Sequence, residues 1–301
     1  MRSLLTTSLL ILTVFILVPQ FVRAETAPLD DSEYRATLIK IIETLQSQIA
    51  TLEAELKERQ NVALSVYEST TPFIISVDVI RAYKVSGPFA VKYIQDYSHR
   101  KYFERVFDLL PNALDDKIKE LVVFRGGNTD YDAFVETIPP NYEQWLYATN
   151  EDMLEDINSD SNNELITHEM AHIIAFEEVT GLPQPYQQNC EAYFQLNGCP
   201  EENSYLKQFI NRFWSTADLQ RAKQQSRSDN LLEDADNYFE KHQAEFVSGY
   251  AAISPEEDFA ETFMFYVLGI GVSGEVAKQK IDFMGRYSYV RSLKAEILEN
   301  I

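Results

Sequence analysis

Two of the chain's four histidines stand four positions apart, in the string His168-Glu169-Met170-Ala171-His172. On a helix, positions i and i+4 lie on one face, so both imidazoles can reach a single Zn2+. Glu169 then sits beside the same point, where its carboxylate can take a proton from water attacking a carbonyl and pass it to the leaving amine. This HExxH spacing predicts a zinc hydrolase. The competing reading, a histidine pair that only packs or hydrogen-bonds, is disfavoured by the glutamate between the two. A catalytic zinc needs a third protein ligand and one position left open.

Downstream, acidic residues meet apolar helix formers in Ser254-Pro255-Glu256-Glu257-Asp258-Phe259-Ala260-Glu261-Thr262-Phe263. Ser254 as N-cap and Pro255 at the first helical position start a helix, and Phe259, Phe263 and Val267 give it a buried face. Glu257 and Glu261 share another face, so one can ligate zinc while the other steadies a histidine from behind. Glu257 is equally the third-position partner of Ser254 in a capping box. Spacing alone leaves both readings of Glu257 open.

The string from Tyr250 through Glu257 and Glu261 to Phe263, Tyr-x6-Glu-x2-Ala-Glu-x-Phe, follows the HExxH helix. It resembles the glutamate-zincin metallopeptidases of the lethal-factor and Pro-Pro endopeptidase group, over about 160–180 and 248–268. The resemblance implies His168, His172 and Glu257 as zinc ligands, Glu169 as general base and acid, and Tyr250 as a hydroxyl donor to the oxyanion. It implies Glu261 as the carboxylate behind a ligand histidine. A tyrosine hydroxyl aimed at a developing alkoxide favours the transition state over the ground state. The 85 residues from His172 to Glu257 make a longer interval than this group leads one to expect, so no relative's cleavage preference is carried over. Within that interval lie the two cysteines, Cys190 and Cys199. In an oxidising compartment they read as a disulfide pinning a loop, with two reduced thiols as the alternative.

Several elements must position these groups. Ser161 and Glu164 have capping-box form, and Gly181 with Pro183 gives a stop, which predicts a helix over about 162–180. Its apolar face carries Ile166, Met170, Ile173 and Ile174, roughly opposite the histidines. Between 62 and 160 the pattern predicts strands at 73–79, 120–124 and 145–149, a turn at Arg125-Gly126-Gly127-Asn128, and helical stretches over about 88–110. The stretch 144–150 is the candidate edge strand that would receive a peptide as an added strand, or else a plain core strand. His99 and His242 lack ligand spacing and read as surface or satisfied residues. The stretch 194–214 reads as helix packing, inside an acidic insert over 181–249.

The N-terminus carries Arg2, an apolar run over 4–18 and then Val22-Arg23-Ala24. This predicts a signal peptide at 1–24 and a secreted or periplasmic protein, with an uncleaved anchor as the alternative and no stable membrane insertion after cleavage. Leu38, Ile42, Leu45, Ile49, Leu52 and Leu56 alternate in steps of four and three, within an amphipathic or coiled-coil helix over 25–60. Two readings stay open there: a homodimer through 38–56, or a helix folded onto the catalytic domain. Residues 61–301 are long enough for one α+β, zincin-like metallopeptidase domain, predominantly helical with a small mixed sheet. Net charge is −21, and loss of Arg2 and Arg23 with the leader would make it two units more negative. Such a balance argues against nucleic acid or anionic membrane as partner. The expectation is a secreted zinc endopeptidase acting on peptide or protein substrates. A non-catalytic zincin-fold binding protein and a coiled-coil scaffold of the cell envelope are the alternatives.

Overall fold

The computed structural model describes residues 37–51, 64–66, 77–125, 131–138, 143–176, 200–226, 228 and 230–301. The chain divides into two compact units, Met1–Lys57 and Glu58–Ile301. In the first unit the described element is helix α1, residues 37–51. Among the described residues no helix is long and apolar enough to cross a membrane. The cysteine pair, the predicted leader at 1–24 and the turn predicted at 126–128 lie outside the described residues.

The second unit is mixed α+β. Its described strands are β1 (Leu64–Val66), β2 (Asp78–Val85), β3 (Ile118–Arg125), β4 (Ala133–Thr137) and β5 (Trp145–Asn150). They form one sheet in the order β1-β2-β3-β5-β4. β3 and β5 run parallel and the other pairs antiparallel. An irregularity between Ile118 and Glu120 on β3 lets Ile118, Leu121 and Val123 share the sheet face that carries the helices. Val122 and Phe124 point to the far face with Phe134, Leu146 and Ala148.

Of the strand predicted at 73–79, residues 73–76 lie outside the described residues, and Asp78 and Val79 open β2, Asp78–Val85, which extends past the predicted end. The helical stretches predicted over about 88–110 are α2 (Pro88–Val91) and α3 (Tyr97–Leu109). Asp96 separates them, since its side chain accepts the His99 backbone N–H at 3.0 Å and caps a fresh helix start.

The HExxH helix is α4, Asp160–Ala175. Its cap is Ser159 rather than Ser161, accepting the Asn162 N–H at 3.2 Å. Asn162 in turn donates to the carbonyls of Met153 (2.9 Å) and Asp156 (2.7 Å), which fixes where the chain enters the helix. Ile166, Met170, Ile173 and Ile174 are buried as the periodicity predicts. Among the described residues of the insert, three helices follow, α5 (Tyr205–Phe213), α6 (Thr216–Gln225) and α7 (Leu231–Phe239). The chain closes with α8 (Pro255–Leu268), α9 (Glu275–Arg286) and α10 (Ser288–Glu299). Phe259, Phe263 and Val267 of α8 are fully buried, as expected. Asp258 on α8 accepts from Lys280 Nζ at 2.6 Å and from Trp214 Nε1 at 2.8 Å, all three buried, so α8 is tied to α9 and to the end of α5.

Candidate metal and catalytic site

Helices α4 and α8 pack face to face and bring the two sequence motifs together. Ser254 accepts the Glu257 N–H at 3.3 Å and Pro255 holds the first turn. At about 100° per residue the acidic run then fans out in three directions. Glu256 accepts from Ser254 Oγ at 2.9 Å, Glu257 turns to the histidines, and Asp258 turns to Lys280. The capping contact uses the Glu257 backbone, and its side chain serves the α4 interface.

Three atoms converge there. His168 Nε2 lies 3.1 Å from Glu257 Oε2 and 3.2 Å from His172 Nε2, and His172 Nε2 lies 3.4 Å from Glu257 Oε2. Ligands about 2.0–2.1 Å from a tetrahedral zinc stand roughly 3.3 Å apart, so this triangle has the edges that such an ion requires. Two imidazoles and a carboxylate are also the donor types that suit zinc. Glu169 belongs to a looser grouping, with ligand atoms of His168, Glu169 and His172 all within 4.8 Å of one another. The tight triangle uses Glu257, which leaves Glu169 beside it as a free base.

The imidazole of His168 is held from behind. Its Nδ1 is 2.8 Å from Glu261 Oε1, and Ser248 Oγ donates to Glu261 Oε2 at 2.6 Å while accepting the Ala251 N–H at 3.0 Å. Glu261 therefore fixes the tautomer with the proton on Nδ1 and turns the Nε2 lone pair into the triangle. Ser248 carries no sequence signal, being one serine in an irregular stretch.

Electrostatics follow this geometry. Burial alone would lower the His168 pKa, but the carboxylates of Glu257 and Glu261 hold it well above its ordinary value. Burial would raise Glu257, and the two histidines outweigh it, keeping that carboxyl far below the usual carboxylate range. Glu169 is shifted upward by burial, against the pull of His172 and His168. The negative charge of Glu257, then burial, then Glu169 hold the Tyr250 hydroxyl far above its ordinary value, so it keeps its proton and can donate. Tyr250 begins a single 3-10 turn, Tyr250–Ala252, and its ring meets the His168 ring edge to face at 5.6 Å between centroids. It is partly exposed beside that ring.

The candidate edge strand is corrected. β5 lies between β3 and β4, and β4 is the outer strand. Residues 144–150 are thus the core alternative, and every residue of β5 is buried. The Asn150 N–H donates to Asp132 O and the Ile138 N–H to Gln144 O, so even-numbered positions of β4 bond to β5. By antiparallel alternation the backbone groups of Ala133 and Val135 point outward. The Val135 N–H is directed at the Glu169 carboxylate and lowers its pKa. Sequence reading missed this contact because a backbone amide leaves no mark on residue type.

The other histidines are satisfied elsewhere, as expected. His99 Nδ1 pairs with the Tyr83 hydroxyl at 2.8 Å, and His242 Nδ1 pairs with Glu245 at 2.8 Å. The structure thus brings His168, Glu169, His172, Tyr250, Glu257 and Glu261 to one place. Comparison with family models, characterised proteins and solved structures finds no match for this chain, so the argument for a function starts from that convergence.

Proposed function

We propose that the chain is a zinc-dependent endopeptidase with a zincin-like catalytic unit. The observation that carries this reading is the triangle of 3.1, 3.2 and 3.4 Å among His168 Nε2, Glu257 Oε2 and His172 Nε2. A zinc ion held by these three groups supplies Lewis acidity toward a water molecule and a carbonyl oxygen. Glu169 accepts the proton of the attacking water and delivers it to the leaving amine, and its upward-shifted pKa suits both roles. The Tyr250 hydroxyl donates to the carbonyl oxygen as negative charge develops on it. Glu261 and Ser248 keep His168 in the tautomer that the metal needs.

The substrate is an extended peptide or protein segment that pairs with the outer side of β4 and lies past the α4 face bearing Glu169. The leader sequence points to a secreted or periplasmic setting for that substrate. The test is zinc content and peptide-library cleavage for three proteins: the parent, Glu257→Ala and Glu169→Gln. One zinc per chain in the parent, loss of it in Glu257→Ala, and retained zinc without cleavage in Glu169→Gln are the expected results. Full zinc in Glu257→Ala would remove Glu257 from the site. Zinc without cleavage in the parent would favour a binding protein.

A further inference from the structure

We infer that α1 is a dimerisation helix whose partner is α1 of a second copy of this chain, running parallel to it. Leu38, Ile42, Leu45 and Ile49 form one stripe along α1 and are each 40–54% exposed. The other side carries Lys40, Thr44, Ser47 and Thr51, with the Thr44 hydroxyl donating to Lys40 O and the Thr51 hydroxyl to Ser47 O. An apolar stripe this continuous marks an interaction surface.

The spacing selects the occupant. Ile42 and Ile49 fall at a positions and Leu38 and Leu45 at d positions of a heptad. Isoleucine at a with leucine at d is the combination that favours two parallel strands. In a parallel pair each g residue meets the e residue five positions further along the other strand. Within the described helix that sets Ile41 against Gln46, so a second copy brings no like-charge pair there. A lipid surface would instead be met by a helix with a strongly basic polar side, whereas Lys40 is the single basic residue of 37–51.

The experiment is sedimentation equilibrium on the chain from Glu25 onward, over a range of micromolar concentrations, beside three variants. The parent is expected to approach twice the mass of one chain as concentration rises. Ile42→Glu combined with Ile49→Glu should stay at the mass of one chain, with circular dichroism of the second unit unchanged. Ser47→Glu, on the polar side, should dimerise like the parent and so control for added charge. Ile42→Cys should give an oxidised cross-link beyond the parent's background, because position 42 meets position 42 only in the parallel arrangement. The inference is overturned by a parent that stays monomeric, by a mass above two chains, or by a double variant that still dimerises. A doubled mass without the cross-link would overturn the parallel arrangement. A monomeric parent that co-sediments with phosphatidylcholine vesicles would assign the stripe to lipid.

Discussion

Helix α8 buries carboxylates on two of its sides, and their charge is met in different ways. On the side toward α9, Asp258 has a cation and an indole N–H within 2.8 Å. On the side toward α4, Glu257 faces two imidazole nitrogens that also face each other at 3.2 Å. The first group is complete: one negative charge, one positive charge and a neutral donor. The second gathers three lone-pair donors around one point, an arrangement that gains most when a cation sits between them. The far face of the sheet offers a third case. Glu120 and Glu136 flank Leu146 across β3, β5 and β4, and each has a buried oxygen without a hydrogen-bond partner among the described residues. Burial of an acid therefore does not identify a site. Convergence of donors does.

The largest effect should come from the point of convergence. Glu169→Gln keeps the shape and removes the proton acceptor, and kcat should fall by about 10^2 to 10^4, measured on the best library peptide with zinc content unchanged. On the α9 side of α8, Lys280→Met leaves the Asp258 charge without its cation, which should cost about 3–5 kcal/mol in denaturant unfolding. The folded fraction of that variant should still bind zinc. Equal loss of zinc in Lys280→Met and Glu257→Ala would show that the two sides of α8 are not separable.

Smaller effects sharpen the comparison. Glu261→Gln loosens the support of His168 and should weaken zinc affinity by about 10- to 100-fold, read by competition with a chelator. Zinc affinity equal to the parent's would reduce Glu261 to a packing residue. The carboxyls of Glu120 and Glu136 are pushed up from 4.5 to about 7 by burial. Each binds its proton more tightly folded than unfolded, so its contribution is complete below pH 4.5 and is lost as pH rises to about 7. Glu120→Gln with Glu136→Gln should flatten that decline, by the order of 1 kcal/mol per carboxyl in unfolding experiments across this window. An unchanged decline would place its cause elsewhere.

What sequence could deliver depended on how local each signal was. His168 and His172, or Glu257 and Glu261, lie one helical turn apart, so their shared direction follows from spacing. Ser254 and Pro255 likewise marked the start of α8 within two residues. The cap of α4 was misplaced from Ser159 to Ser161 because both are serines with an acidic or amide residue nearby, and Asn162 decides between them through contacts with Met153 and Asp156. The place of β5 was not legible, since it depends on β4 folding back to the outside of the sheet. β4 itself has only five residues and acts at the site through a main-chain amide. Asp258 looked like one more acid in a row of three, and its partners Trp214 and Lys280 stand 44 and 22 residues away.

The amide of Val135 has one more consequence. On the proposed reading, the strand that receives the peptide also turns an amide toward the proton acceptor, so docking and base alignment would share one piece of backbone. A peptide seated one residue out of step would present its other face to the cleft and pull on the same strand that aims Glu169. Such a peptide would be held yet left uncut. Discrimination among sequences would then be written into turnover more than into affinity, and good inhibitors would be found among poor substrates.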